Sequence, residues 1–124
     1  IVDKRRTDNN EHAEAMTLIG EVEGRDCIIV DDEILTGGTM VSSVRLLRER
    51  GARSVYVSCV HPIFAPQGYE LLDTDEIAEL VFTDTVPLRQ PFQHVPTRTL
   101  SMAPLIGDAM HRIHTGGSVG ELFL

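Results

Sequence analysis

In CIIVDDEILTGGTM (residues 27–40) a strand runs into a helix across a short polar loop. Cys27-Ile28-Ile29-Val30 is a continuous, largely β-branched run, the pattern of a central strand in a parallel sheet, buried on both faces. Beyond the loop, Met40, Val41, Val44 and Leu47 recur at helical spacing. Arg45, Arg48 and Arg50 crowd the end of that helix, and Gly51 follows as its stop. Ser54 to Val60 reads as the next strand. Residues 25 to 60 therefore predict a strand, a right-handed crossover helix and a parallel strand.

A second round follows downstream. It predicts a helix around Gln67 to Leu72, a strand from Glu79 to Asp84, and a further strand over Thr97 to Met102. Pro104 opens a helix through about His114, with Leu105, Ile106, Ala109, Met110 and Ile113 on one face and Gly116-Gly117 at its end. Pro87 to Pro96, with three prolines and no period, reads as a surface loop. Residues 11 to 22 allow two readings, a helix capped by Asn10 or a strand in which Met16 and Leu18 alternate with Thr17. The layer pattern is α/β, with a parallel sheet.

The 124 residues fit one domain but are short for a complete two-substrate enzyme. Eleven basic residues against nineteen acidic ones give a net charge of −8, which argues against a nucleic-acid surface. No apolar run approaches the roughly 20 residues of a membrane span. Cys27 and Cys59 lie in apolar runs with no metal-ligand spacing, so free buried thiols in a reducing, cytoplasmic setting are expected. No signal peptide is visible, and a chain beginning at Ile1 reads as a piece of something longer. Lys4-Arg5-Arg6, followed by Thr7-Asp8-Asn9-Asn10, reads as a mobile basic arm over residues 1–12 or as a solvated end.

Asp31 and Asp32 follow Val30 at the carboxyl end of a parallel strand, where open sheets bind ligands. Thr36-Gly37-Gly38-Thr39 leads into a helix whose first amides and dipole favour an anion. Without a Gly-Lys-Ser/Thr ending, the loop is no triphosphate cradle of the Walker kind. A sugar phosphate reconciles the acids with the loop. Its phosphate takes the amides, and its hydroxyls donate to carboxylates, which only accept. The plain alternative is a tight turn with Thr39 as the helix cap.

Val30-Asp31-Asp32 with Thr36-Gly37-Gly38-Thr39 resembles the phosphoribosyl pyrophosphate motif of type I phosphoribosyltransferase folds. With Asp3-Lys4-Arg5-Arg6, Gly20-x-Val22-Glu23-Gly24-Arg25, His61-Pro62, Thr83-Asp84-Thr85, Ser118-Val119 and Leu122-Phe123, the ordered set resembles the ribose-phosphate pyrophosphokinases. The resemblance covers nearly the whole chain and the last third or so of such an enzyme. It implies a doubly wound, phosphoribosyltransferase-type parallel-sheet domain spanning 1–124 and incomplete at its N-terminus. It also implies transfer of diphosphate from ATP to ribose 5-phosphate, giving phosphoribosyl pyrophosphate and AMP. Lys4 and Arg6 then match basic positions of a mobile catalytic loop. Arg6, Asp31, Asp32, Leu35, Thr36, Gly37, Gly38 and Thr39 would hold ribose 5-phosphate.

The same resemblance implies magnesium with ligands mainly outside this segment, an upstream N-terminal domain that supplies the ATP contacts, and a homo-oligomer. It further implies that the segment is inactive alone. Leu35 stands where the family commonly has an aspartate, a change that weakens the site if that carboxylate orients the sugar. Two other readings are a phosphoribosyltransferase that consumes phosphoribosyl pyrophosphate, and a non-catalytic regulatory subunit of the synthetase. His111 and His114 read as an exposed helix end, and Asp84 as part of a side-chain turn. His61 closes a strand beside Pro62, either as a satisfied structural histidine or as one that reaches the ligand cleft.

Overall fold

The computed structural model describes residues 2–6 and 14–123, with side chains described from Leu18 onward. Val2–Arg6 (β1) pairs antiparallel with Glu14–Leu18 (β2), placing Lys4 opposite Met16 and Arg6 opposite Glu14. Of the two readings of residues 11–22, the strand is thus the one that forms, over Glu14–Leu18. Residues 7–12 of the expected arm lie outside the described residues.

The main sheet holds Asp26–Glu33 (β3), Ser54–His61 (β4), Glu79–Thr83 (β5) and Thr97–Leu100 (β6), parallel throughout and in chain order. Gly38–Glu49 (α1) and Pro66–Leu72 (α2) connect the first three strands. Since the order advances in one direction, right-handed crossovers put both helices on the same face. Along β4, Val55, Val57 and Cys59 are buried against those helices, while Tyr56, Ser58 and Val60 point the other way. This is the expected parallel α/β sheet, with α1 and α2 covering one face.

The expectation that β3 is central and buried on both faces is corrected. Among the described residues β3 is the edge of this sheet, and its Ile28 and Val30 are 69% and 74% exposed. A β-branched run reports strand propensity and cannot by itself distinguish an edge from a centre. The cysteines follow suit, both free, with Cys59 buried but Cys27 only half-buried.

The core lies under α1 and α2. Met40, Val41, Val44 and Leu47 of α1 meet Val55, Val57 and Leu80 of the sheet, while Phe64 and Leu72 are fully buried between them. Phe64 stands edge-on to Tyr69, Phe82 and Phe92 with ring centres 5.4, 6.2 and 5.4 Å away. The proline-rich loop is therefore not all surface, since Phe92 packs on the core and Val95 is buried. Ala103–Thr115 (α3) starts near the expected Pro104 and ends at Gly116 in a left-handed conformation, with no buried residue.

Candidate functional site

β3 continues through Glu33, three residues beyond its apolar run. The strand therefore carries its side-chain alternation into the acidic segment. Asp31 and Glu33 fall on the helix-covered side, with Asp32 opposite. Each of the first two carboxylates accepts the next amide, Asp31 that of Asp32 at 3.0 Å and Asp32 that of Glu33 at 2.9 Å.

The chain then turns sharply into α1. Gly37 adopts φ 75°, a left-handed conformation that costs other residues strain, and it serves as the helix cap without a side-chain bond. Thr39, one reading of which made it the cap, lies inside the first turn instead. Its backbone carbonyl accepts the Ser43 hydroxyl at 2.9 Å.

The loop is held from behind. The Ile34 carbonyl accepts the Phe64 amide at 3.1 Å, and the Leu35 carbonyl accepts that of Ala65 at 2.8 Å. α2 approaches so closely that a Cβ on Gly68 would lie 2.6 Å from the Leu35 oxygen. With these carbonyls occupied, the opposite side of the loop bounds a recess of about 220 Å³. Asp31, Glu33, Ile34, Leu35, Thr36, Gly37, Thr39 and Met40 line it.

Five predicted residues are thereby brought together, namely Asp31, Leu35, Thr36, Gly37 and Thr39. Asp32 and Gly38 adjoin the recess in sequence but do not line it. Lys4 and Arg6 lie on β1, and their side chains lie outside the described residues. Glu33 was missed, and the signal for it is parity: once Asp31 faces the loop, a strand that continues two residues brings Glu33 round as well.

The electrostatics of the recess are mixed. Helix amides at the start of α1 have no carbonyl of their own helix to meet, so they offer donors to an anion. The Asp31 carboxyl is pushed above its usual range, first by desolvation and then by the adjacent Asp32 carboxylate, against the effect of the Asp32 amide. Cys59, in register with Asp31, has its thiol pushed up to about 11 by burial and by that same carboxylate. It is a neutral packing group. Asp84 holds the start of α3 instead, accepting Ser101 Oγ at 2.6 Å and the Met102 amide at 2.8 Å.

A strand ending in acids, followed by a helix N-terminus with a recess between, sets hydrogen-bond acceptors beside free amide donors. The family model for the phosphoribosyl synthetase-associated domain matches residues 6–124. The chain belongs to that family. Its relatives include a ribose-phosphate pyrophosphokinase of Bordetella pertussis, 44% identical over 124 residues, with 99% of this chain and 40% of the relative covered. A chloroplastic ribose-phosphate pyrophosphokinase of Arabidopsis thaliana is 42% identical, covering the whole chain and 31% of that protein.

Among solved structures, phosphoribosylpyrophosphate synthetase from Mycobacterium smegmatis superposes with a TM-score of 0.77 at 28% identity. That match covers 94% of this chain and 37% of the synthetase. This phosphoribosyl synthetase-associated domain thus spans between 31% and 40% of the length of these curated relatives.

Proposed function

We propose that this chain is the ribose 5-phosphate-binding part of a ribose-phosphate pyrophosphokinase, which transfers diphosphate from ATP to the sugar. The observation that carries the reading is the recess, where Asp31 and Glu33 face the N-terminus of α1 across the loop Leu35–Thr39. In this reading the ribose hydroxyls donate to Asp31 and Glu33, and the phosphate takes the amides and hydroxyls of Thr36 and Thr39. Gly37 and Gly38 let the backbone come close. Asp32 completes the acidic end of the strand from the other side. The names of the relatives support the chemistry, and ATP and an upstream domain enter with it.

Lys4 and Arg6 serve the transfer itself, closing over the phosphates and offsetting charge as it develops. Magnesium is the expected metal of such a phosphoryl transfer. Among the described residues no three His, Cys, Asp or Glu side chains are placed to hold a metal ion. In this proposal the metal's ligands lie mainly outside this span, and the work of these residues is to bind and orient the sugar phosphate. Among the described residues no helix is long and apolar enough to cross a membrane; a cytoplasmic setting is part of the same proposal. Assembly into a homo-oligomer belongs to the same proposal.

The test is AMP formation from ATP and ribose 5-phosphate with magnesium, measured on this span and on its full reading frame. Activity in the full frame alone is the expected result. Sugar-phosphate binding without AMP from either would remove the synthetase assignment. In the active frame, Lys4→Ala lowers turnover with little change in sugar affinity.

A further inference from the structure

The segment that leads into α2 runs behind the loop 35–39. Two hydrogen bonds tie them, from the Phe64 amide to the Ile34 carbonyl at 3.1 Å and from the Ala65 amide to the Leu35 carbonyl at 2.8 Å. A trans peptide sets its carbonyl and the following N–H in opposite directions, and the described residues contain no cis bond. Holding Ile34 and Leu35 by their carbonyls therefore directs the next amides, those of Leu35 and Thr36, away from Phe64 and Ala65. Among the described residues neither amide meets an acceptor, and both residues line the recess. Successive amides turned to one side form a concavity that takes an anion.

Gly68, in the first turn of α2, stands against the same peptide. A Cβ there would lie 2.6 Å from the Leu35 oxygen and 3.6 Å from the carbonyl carbons of Leu35 and Thr36, where non-bonded atoms rest about 3.5–4.0 Å apart. Gly68 is not one of the glycines with positive φ, and a helix otherwise prefers alanine to glycine. The contact with the loop is thus what a methyl group would violate. Either the helix or the loop would have to move. The helix is the fixed side, because Phe64, Tyr69 and Leu72 are buried in the core and the Tyr69 hydroxyl accepts the Arg89 amide at 2.9 Å. Leu35, by contrast, is 53% exposed. The loop gives way.

We propose that Gly68 is a positioning residue for the anion-binding half of this site, setting through the Leu35 carbonyl the direction in which the Leu35 and Thr36 amides are presented. The proposal rests on the sugar-phosphate reading above. Gly68 does not line the recess and touches no ligand in this scheme. Its effect comes from having no side chain, which lets α2 seat close enough to hold the loop. The acceptors Asp31 and Glu33 belong to β3, so displacing the loop alters the donors while the acceptors keep their strand.

Hydrogen–deuterium exchange of the loop amides in the full-length protein tests this, with inorganic phosphate and ribose 5-phosphate as probes and thermal melts alongside. Both probes should slow exchange in the wild type. Gly68→Ala should weaken each about three- to tenfold at a nearly level melting temperature, with exchange in β4 and the interior of α1 unchanged. Ala65→Pro approaches the same contact from the other partner. The φ of Ala65, −65°, already suits proline, and the ring removes the N–H that holds Leu35, so both probes should weaken by a similar factor. Gly107→Ala, a change on α3 with nothing within 4 Å of the new carbon, should alter neither affinity. Full-strength phosphate binding by Gly68→Ala or Ala65→Pro overturns the proposal, as does a loss in Gly107→Ala equal to that in Gly68→Ala. If the wild type binds ribose 5-phosphate and Gly68→Ala binds it equally, the role of Gly68 alone falls. If neither probe slows the loop amides of the wild type, the reading of the recess falls with it.

Discussion

Asp31 and Asp84 are both carboxylates at the ends of strands, and their surroundings give them opposite tasks. Asp31 is raised above its usual range by desolvation in the first place. A carboxyl raised in the folded state favours its protonated form, so its contribution to stability declines as pH rises through the carboxylate range. Asp84 is lowered, first by the Met102 amide and then by the Ser101 hydroxyl. Its contribution is present at neutral pH and is lost in acid. Asp31→Asn should therefore leave the ligand-free melting temperature level or slightly higher while weakening ribose 5-phosphate about tenfold or more. Asp84→Asn should lower the melting temperature and leave affinity nearly intact. Calorimetric titration beside thermal melts separates the two, and equal binding losses would remove Asp31 from the site. Asp32→Asn, on the far side of the strand, should weaken binding less than Asp31→Asn. Most of the recess is legible in the sequence because Asp31, Thr36, Gly37 and Thr39 are contiguous across one strand-to-helix turn. Glu33 is not, because its inclusion depends on how far β3 continues past Val30, and the acidic segment carries no strand signal of its own.

Among the elements, β3, α1 and β4 are readable from a short apolar run and a 3.6-residue period, which local sterics and burial impose together. The loop between β5 and β6 is not, because its order comes from a residue far away in sequence. The Asp73 carboxylate accepts the amides of Gln93, His94 and Val95 at 2.9, 2.7 and 3.0 Å, with the His94 ring 3.1 Å away. Desolvation pushes its pKa up, but the amides and the ring outweigh that and bring it to about 2. A depressed carboxyl stabilises the fold above its unfolded value and loses that contribution as pH falls toward the folded one. Stability should thus drop between about pH 4 and pH 2. Asp73→Ala strands three amides and should cost about 2 to 4 kcal/mol. Asp73→Asn should flatten the acid slope in denaturant titrations; an unchanged slope would show that Asp73 does not anchor the loop.

For the molecule as a whole, the covered and open faces of the sheet differ sharply. Ile28, Val30 and Val60 are exposed on the open face, and α3 exposes Ile106, Met110 and Ile113. Grouped apolar exposure of this kind promotes association in water. This span on its own should bind a hydrophobic dye and self-associate in size-exclusion chromatography with light scattering. Val30→Lys and Met110→Lys should each reduce both effects with stability changes within about 0.5 kcal/mol. A monodisperse monomer that binds no dye would contradict this reading of the face.

The recess has one more consequence, and it concerns rates. Among the described residues its lining includes two acids and no lysine or arginine, on a chain of net charge −8. An anionic sugar approaching the recess is repelled at long range even though the amides welcome it at contact. Added salt shortens the reach of that repulsion to about 8 Å at physiological ionic strength. Ribose 5-phosphate should accordingly associate faster as salt is raised, the opposite of a pocket ringed by bases. A slope that reverses in the full-length protein and is restored by Lys4→Ala and Arg6→Ala would mark β1 as the part that draws the ligand in.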